Sequence, residues 1–137
     1  MPTHSGNGYS GKPLYQKLGI NPESRVRVIN PPEDYFDILE IPFIPDTSER
    51  DKFDIIHIFQ NEREELEFIL QNEIKQLEQS GMLWISWQKR SSGVHSSITE
   101  DIIREVIFPL GLVDVKVCSV DKTWSALKVV IRKVNRK

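Results

Sequence analysis

The sequence predicts an α/β fold: a three-layer sandwich whose sheet is mostly parallel and closes with an antiparallel last strand. Three observations carry this. Two short, almost wholly apolar runs, Phe53–Phe59 (FDIIHIF) and Met82–Trp87 (MLWISW), have the pattern of strands covered on both faces. The stretch between them and the stretch after them carry apolar residues three and four apart, the period of a helix laid on a sheet. Only Asp121, Lys122 and Thr123 separate the last two predicted strands. That is too short for a parallel crossover, so the final strand turns back antiparallel or leaves for another edge.

Taken in order, Met1–Gly11 is rich in Gly, Ser, Asn and His and is expected to be a flexible tail, with residues 12–137 forming one domain. Gly6, Gly11 and Lys12 have the spacing of a phosphate-binding loop. No strand precedes them, however, and Pro13 stands where a hydroxyl should reach magnesium. The better reading is a short helix opened by Pro13 and closed by Gly19, with Leu14 and Leu18 on one face. Arg25–Asn30 is the first strand; Pro31 and Pro32 stop it and open a short helix to Leu39. Ile41–Ile44 reads as a second strand confined to a sheet edge by Pro42 and Pro45, its full extent open. After the Phe53–Phe59 strand, Asn61 and Glu64 have capping-box spacing. The helix they open runs to Ser80 through Leu66, Ile69, Leu70, Ile74 and Leu77, and Gly81 closes it. Met82–Trp87 is the central strand. Ser97 and Glu100 form a second capping box before Ile98, Ile102, Ile103, Val106 and Ile107, and Pro109 and Gly111 end that helix. Leu112–Val120 and Trp124–Val134 are the last strands. Ile56, Ile58, Leu83, Ile85, Val115 and Val117 are expected to be almost fully buried.

Composition narrows the function classes. A chain of 137 residues is one domain that buries roughly 68% of its unfolded surface. With 39% hydrophobic and 28% charged residues and a net charge of −2, nothing draws the whole molecule to nucleic acid or an anionic membrane. One cysteine excludes an internal disulfide, which fits a cytoplasmic location. No apolar run nears the ~20 residues that span a bilayer, and the N-terminus lacks the apolar core of a signal peptide. Three scattered histidines and the cysteine have no zinc spacing, so no metal site is expected.

The passages LEQSGMLWISW (Leu77–Trp87) and GLVDVKV with ALKVVIRK (Gly111–Lys133) are similar to the helix–Gly–strand passage and final strand pair of class I S-adenosylmethionine-dependent methyltransferases, a Rossmann-like fold. The resemblance covers Arg25 to the C-terminus and implies a last strand inserted between Met82–Trp87 and Leu112–Val120. The strings GYSGKPL, SWQKRSSG and TWSALK more closely resemble a bacterial family of small proteins of unknown function. The methyltransferase resemblance implies a glycine-rich turn after the first strand and an acidic residue beyond it for the ribose. Here the turn is Asn30-Pro31-Pro32-Glu33, without glycine and short of two N–H donors. Glu40 and Asp46 are the available acids, and Asp46–Lys52 is too short for the usual helix and extra strand. No cofactor is therefore expected; S-adenosylmethionine is disfavoured by Pro31 and Pro32.

In open α/β sheets ligands sit beyond the carboxyl ends of the strands. Four loops meet there: Asn30–Glu33, Gln60–Arg63, Gln88–Ser97 and Asp121–Ser125. The third offers Lys89, Arg90, Ser91, Ser92 and the flexible Gly93 ahead of a helix N-terminus. It reads as an anion site or as a solvated, capped loop. Trp87 and Trp124, at the rim, either stack on a ligand or cap a core edge. The candidate ligand-binding residues are Asn30, Trp87, Lys89, Ser91, Ser92, Gly93, Thr123 and Trp124, with Lys89 and the two serines nearest the anion. Trp84 is expected to pack in the core, on the opposite face from Trp87. His57, within an apolar strand, is expected to be buried and hydrogen-bonded, and Cys118 to be a small core residue. His95 has the chemistry of a proton carrier but no partner that the sequence places. The basic C-terminus, Lys128, Arg132, Lys133, Arg136 and Lys137, reads as a solvated edge strand. The expected function is a non-catalytic or regulatory module with a degenerate methyltransferase-like fold, binding a small anionic or nucleotide-like ligand. A methyltransferase with an atypical cofactor loop and a protein-interaction subunit are the alternatives. A protein partner or homo-oligomer stays open; no membrane or nucleic-acid partner is expected.

Overall fold

The computed structural model describes residues 11–136, so the expected tail lies outside the described residues except for Gly11. Those residues form a five-stranded sheet: β1 (Val26–Ile29), β2 (Phe53–Phe59), β3 (Leu77–Gln88), β4 (Leu112–Ser119) and β5 (Trp124–Ile131). The order across the sheet is β1-β2-β3-β5-β4. β1, β2 and β3 pair in parallel, and β5 runs antiparallel to both β3 and β4. The last strand is thus inserted between β3 and β4, as the resemblance implies, and β4 is an edge.

Strand alternation divides the apolar residues between two faces. Ile56, Ile58, Leu83, Ile85, Leu127 and Val129 pack under α3 (Arg63–Glu73) and α4 (Glu100–Ile107). Ile55, Phe59, Trp84 and Ala126 pack under α1 (Leu14–Lys17) and α2 (Tyr35–Leu39). The indole Nε1 of Trp84 donates to the Leu18 carbonyl at 3.1 Å and holds α1 on this face. His57 lies here too, wholly buried: Nδ1 pairs with Tyr35 Oη and Nε2 with Ser86 Oγ, each at 2.8 Å. Burial pushes its pKa down to about 3, so the ring is neutral at physiological pH. The chain leaving α2 passes outside β1, where Asp46 makes a single parallel bridge to Arg25, before returning to β2. α2 therefore serves an outward connection and α3 an inward one, and their opposite faces give both the same hand.

Several boundaries differ from the sequence reading. Ile41–Ile44 is not a strand; with Pro42 and Pro45 lacking donors, the chain touches the sheet edge only at Asp46. The long helix ends at Glu73, one 3₁₀ turn follows, and β3 begins at Leu77. Gly81 is not a helix cap but a strand residue beside a register shift, where a Cβ would lie 2.8 Å from the Asp54 carbonyl oxygen. Asn61 does not cap α3, and Ser97 does not cap its own helix. Ser97 Oγ accepts from Arg63 N at the start of α3 (2.9 Å), and Thr99 Oγ1 caps α4 by accepting from Ile102 N (3.1 Å). Val115 and Val117 are about half exposed, at 51% and 49%, because β4 is an edge strand with a bulge between Asp114 and Lys116. β5 stops at Ile131, and Val134 is solvent-exposed.

Candidate functional site

The parallel strands end together at Ile29, Phe59 and Gln88, and the β4–β5 turn lies at the same end of the sheet. Asn61 fastens the loops there. Its Oδ1 accepts from Gln88 N (2.9 Å) and its Nδ2 donates to Gln88 Oε1 (2.6 Å). Its carbonyl accepts from Ser97 N (2.8 Å) and from the hydroxyls of Ser96 and Ser97 (both 3.3 Å). Gln60 Oε1 accepts from Asn61 N and Glu62 N (3.0 and 3.1 Å). The loop after β3 is thus welded to the loop after β2 by neutral hydrogen bonds. Asparagine at position 61 has the type and spacing of a helix cap, so its role as a clamp on Gln88 is visible only once β2 and β3 are side by side.

Beneath this weld the β3–α4 loop encloses a cleft of about 320 Å³ lined by Trp87, Gln88, Arg90, His95, Ser96 and Thr99, with apolar walls from Val94 and Ile98. Trp87 is 9% exposed and belongs to the core under α4, so it forms the cleft wall rather than a free stacking platform. Arg90 is exposed and has no acidic partner among the described residues. The first turn of α4 carries Glu100 and Asp101, both paired to Arg104 at 3.1 and 2.9 Å, which sets negative charge at the helix end itself. The unpaired positive charge of the cleft therefore lies at Arg90 rather than on the α4 axis.

The predicted residues separate into three places. Trp87 lines the cleft. Ser91 and Ser92 form the 3₁₀ turn at its side; Ser92 Oγ accepts from Val94 N at 3.1 Å, and Gly93 closes the turn at φ +82°. A Cβ at Gly93 would meet nothing within 4 Å, so glycine serves the backbone conformation there. Lys89, Thr123 and Trp124 make a separate staple. Lys89 Nζ donates to the Asp121 carbonyl (2.6 Å) and Ser119 Oγ (2.8 Å), and Lys89 N donates to the Thr123 carbonyl (2.7 Å). Asp121 Oδ1 accepts from the backbone N–H of Thr123 and of Trp124, both at 2.8 Å. The Lys89 ammonium thus joins the β3 loop to the β4–β5 turn. The Trp124 ring meets Phe59 edge-on at 4.9 Å, on the α1–α2 face, so the two rim tryptophans do not face each other. Asn30 stands apart at the end of β1, exposed and at φ +56°. Arg90, in the same loop as Lys89, was legible as a basic residue but not as one without an acidic partner among the described residues.

The resemblance implies a cofactor at the turn after β1. Pro31 and Pro32 supply no N–H, and Tyr35 N already donates to the Pro32 carbonyl at 3.1 Å. Asp46 sits at the amino end of β1, paired to Arg50 at 2.8 Å, far from any ribose at the carboxyl end. This turn does not fit the backbone cradle of a methyltransferase cofactor. Among the described residues no group of three or more His, Cys, Asp or Glu could hold a metal ion, and no helix is long and apolar enough to cross a membrane.

No protein-family model matches the chain, and no curated protein matches it in sequence. Solved structures do match in fold. A Methanococcus jannaschii fibrillarin pre-rRNA processing protein has a TM-score of 0.52 at 13% identity, covering 88% of this chain and 74% of that one. A B. subtilis tRNA methyltransferase has 0.52 at 13%, with 85% and 64% covered. A Streptococcus agalactiae protein of the NADB-Rossmann superfamily has 0.53 at 14%, with 90% and 70% covered. The chain thus spans about two thirds to three quarters of the length of these structures, and what it shares with them is a Rossmann-like, methyltransferase-like α/β fold.

Proposed function

We propose that this chain is a non-catalytic or regulatory binding module, a cytoplasmic member of the small bacterial family whose GYSGKPL, SWQKRSSG and TWSALK strings it resembles. Its ligand is small and anionic or nucleotide-like and lies in the cleft at the carboxyl end of β3. One observation carries the reading: Arg90 lines the cleft without an acidic partner among the described residues, while the neighbouring Lys89 is tied to the β4–β5 turn. A guanidinium presents a planar fork to carboxylate or phosphate. His95, Ser96 and Thr99 stand on the same walls. The Asn61 weld holds those walls in place before a ligand arrives, which lowers the ordering cost of binding.

Thermal unfolding with inorganic phosphate, nucleotides, S-adenosylmethionine and S-adenosylhomocysteine tests this. At ~100 times its dissociation constant a ligand adds about 2.7 kcal/mol of stability. Stabilisation by phosphate or a nucleotide in the natural chain, absent in Arg90→Ala, supports the proposal. Stabilisation confined to S-adenosylmethionine and S-adenosylhomocysteine supports a methyltransferase with an atypical cofactor loop instead. No response to any of the four leaves the protein-interaction reading.

A further inference from the structure

The face that carries α1 and α2 is covered unevenly. Trp84 and Ala126 belong to the cluster beneath those helices, and residues directly opposite each other across strands share a face. Trp84 pairs with Lys128, and Lys128 pairs with Lys116 on β4, so both ammonium groups lie on this face. Val113 pairs with Val130 beside them. None of these four belongs to either core cluster, and Val113 is 36% exposed. Like charges directly opposite each other in a sheet are unfavourable. Neither lysine has an acidic partner among the described residues.

The complementary charge stands at the other end of the same face. Glu33, Asp34, Asp37 and Glu40 lie on or beside α2, all exposed and none paired with a base among the described residues. By contrast Arg25, Arg27, Arg50, Arg63 and Arg104 each hold at least one carboxylate. α2 is anchored over β2 by the Tyr35–His57 bond. β5 and β4 lie two and three strands away, about 10 and 14 Å at the usual spacing. The acids and lysines of one chain are too far apart to pair with each other.

We propose that a second copy of this chain docks on this face, with the α2 acids of each copy on Lys116 and Lys128 of the other. The surface is self-complementary, so a two-fold axis forms the same contact twice and closes the assembly. Docking separates the two lysines' repulsion with carboxylates and covers Val113 and Val130. The inference is independent of the cleft, which opens on the α3–α4 side.

The test is sedimentation of the full chain at low and high salt, with two charge-reversed variants, Lys116→Glu/Lys128→Glu and Asp34→Lys/Asp37→Lys. The natural chain is expected to dimerise, more weakly at high salt. Each variant alone brings like charges together, and its dimer dissociation constant should rise roughly tenfold or more. An equimolar mixture restores both contacts with opposite charges, so the heterodimer should form as the natural dimer does; this also separates lost docking from lost folding. A natural chain that stays monomeric at low salt would overturn the proposal and leave the lysines to a foreign acidic partner. So would a dimer indifferent to either reversal, or variants that fail to recover on mixing.

Discussion

The two ends of the sheet are held by different chemistry. At the amino end, three arginines hold carboxylates. Arg25 bridges Asp54 (2.8 Å) and Glu78 (3.2 Å), Arg27 holds Glu73 (2.6 Å), and Arg50 holds Asp46 (2.8 Å). The Arg25 guanidinium beside Asp54 holds that carboxyl below the usual range. At the carboxyl end the clamps around Asn61, Gln88 and Ser97 are amides, hydroxyls and backbone groups, and the Lys89 ammonium is held by uncharged oxygens rather than by a carboxylate. The difference teaches where a ligand can be recognised. Arg25, Arg27 and Arg50, each already holding a carboxylate, have little left for an incoming anion, whereas Arg90 stands at the carboxyl end without an acidic partner among the described residues.

The strongest way to break the comparison is at the amino end. Glu73 is 6% exposed, and Arg27 is its partner. Arg27→Ala should cost about 3 kcal/mol or more in denaturant melts, because it strands a buried carboxylate. Adding Glu73→Leu should recover most of that loss; failure to recover would mean that Arg27 acts through packing over Phe53 rather than through charge.

Between the two ends lies His57, and its signature is a pH dependence. Its folded-state pKa, pushed down to about 3 by burial, lies below the ordinary value of 6.5. Below pH 6.5 the unfolded chain takes up a proton that the folded chain refuses. The stability from this group is therefore complete above pH 6.5 and is lost as pH falls towards 3. Between pH 6 and 4.5 the slope should approach about 1.4 kcal/mol per pH unit. His57→Phe should flatten that slope whatever it does to stability at pH 7; an unchanged slope would contradict the assignment.

At the carboxyl end the expected effect is smaller. Asn61→Ala removes the bonds to Gln88 and should cost roughly 1–3 kcal/mol. Its sharper readout is local: amide exchange should quicken at Gln88 and through the following loop, with β1 and the amino-end ion pairs unaffected. Quickening everywhere would mean that the two ends are one cooperative unit.

Much of this contrast was hidden in the sequence, for physical reasons. The apolar run of β2, the reversal before β5 and the burial of His57 were legible because each depends on residues close in the chain or on strong local patterning. The α3–β3 boundary was not, since Leu77 satisfies both the helix stripe and a strand core. Val115 and Val117 have the composition of buried strand residues, and only the place of β4 at an edge exposes them. Lys89 and Arg90 are chemically similar neighbours. What separates them is Ser119 and Asp121, about thirty residues later, which tertiary folding brings to Lys89 alone.

The central claim, that the carboxyl end recognises an anion through Arg90, is tested most directly by following backbone amide shifts while inorganic phosphate is titrated into the natural chain and into Arg90→Ala. The account predicts saturable movements confined to Arg90–Thr99 in the natural chain, weakened at least several-fold in the variant because a charge-assisted bond is lost. Equal or diffuse movements in both proteins, or movements centred on Asn30–Glu33, would contradict it.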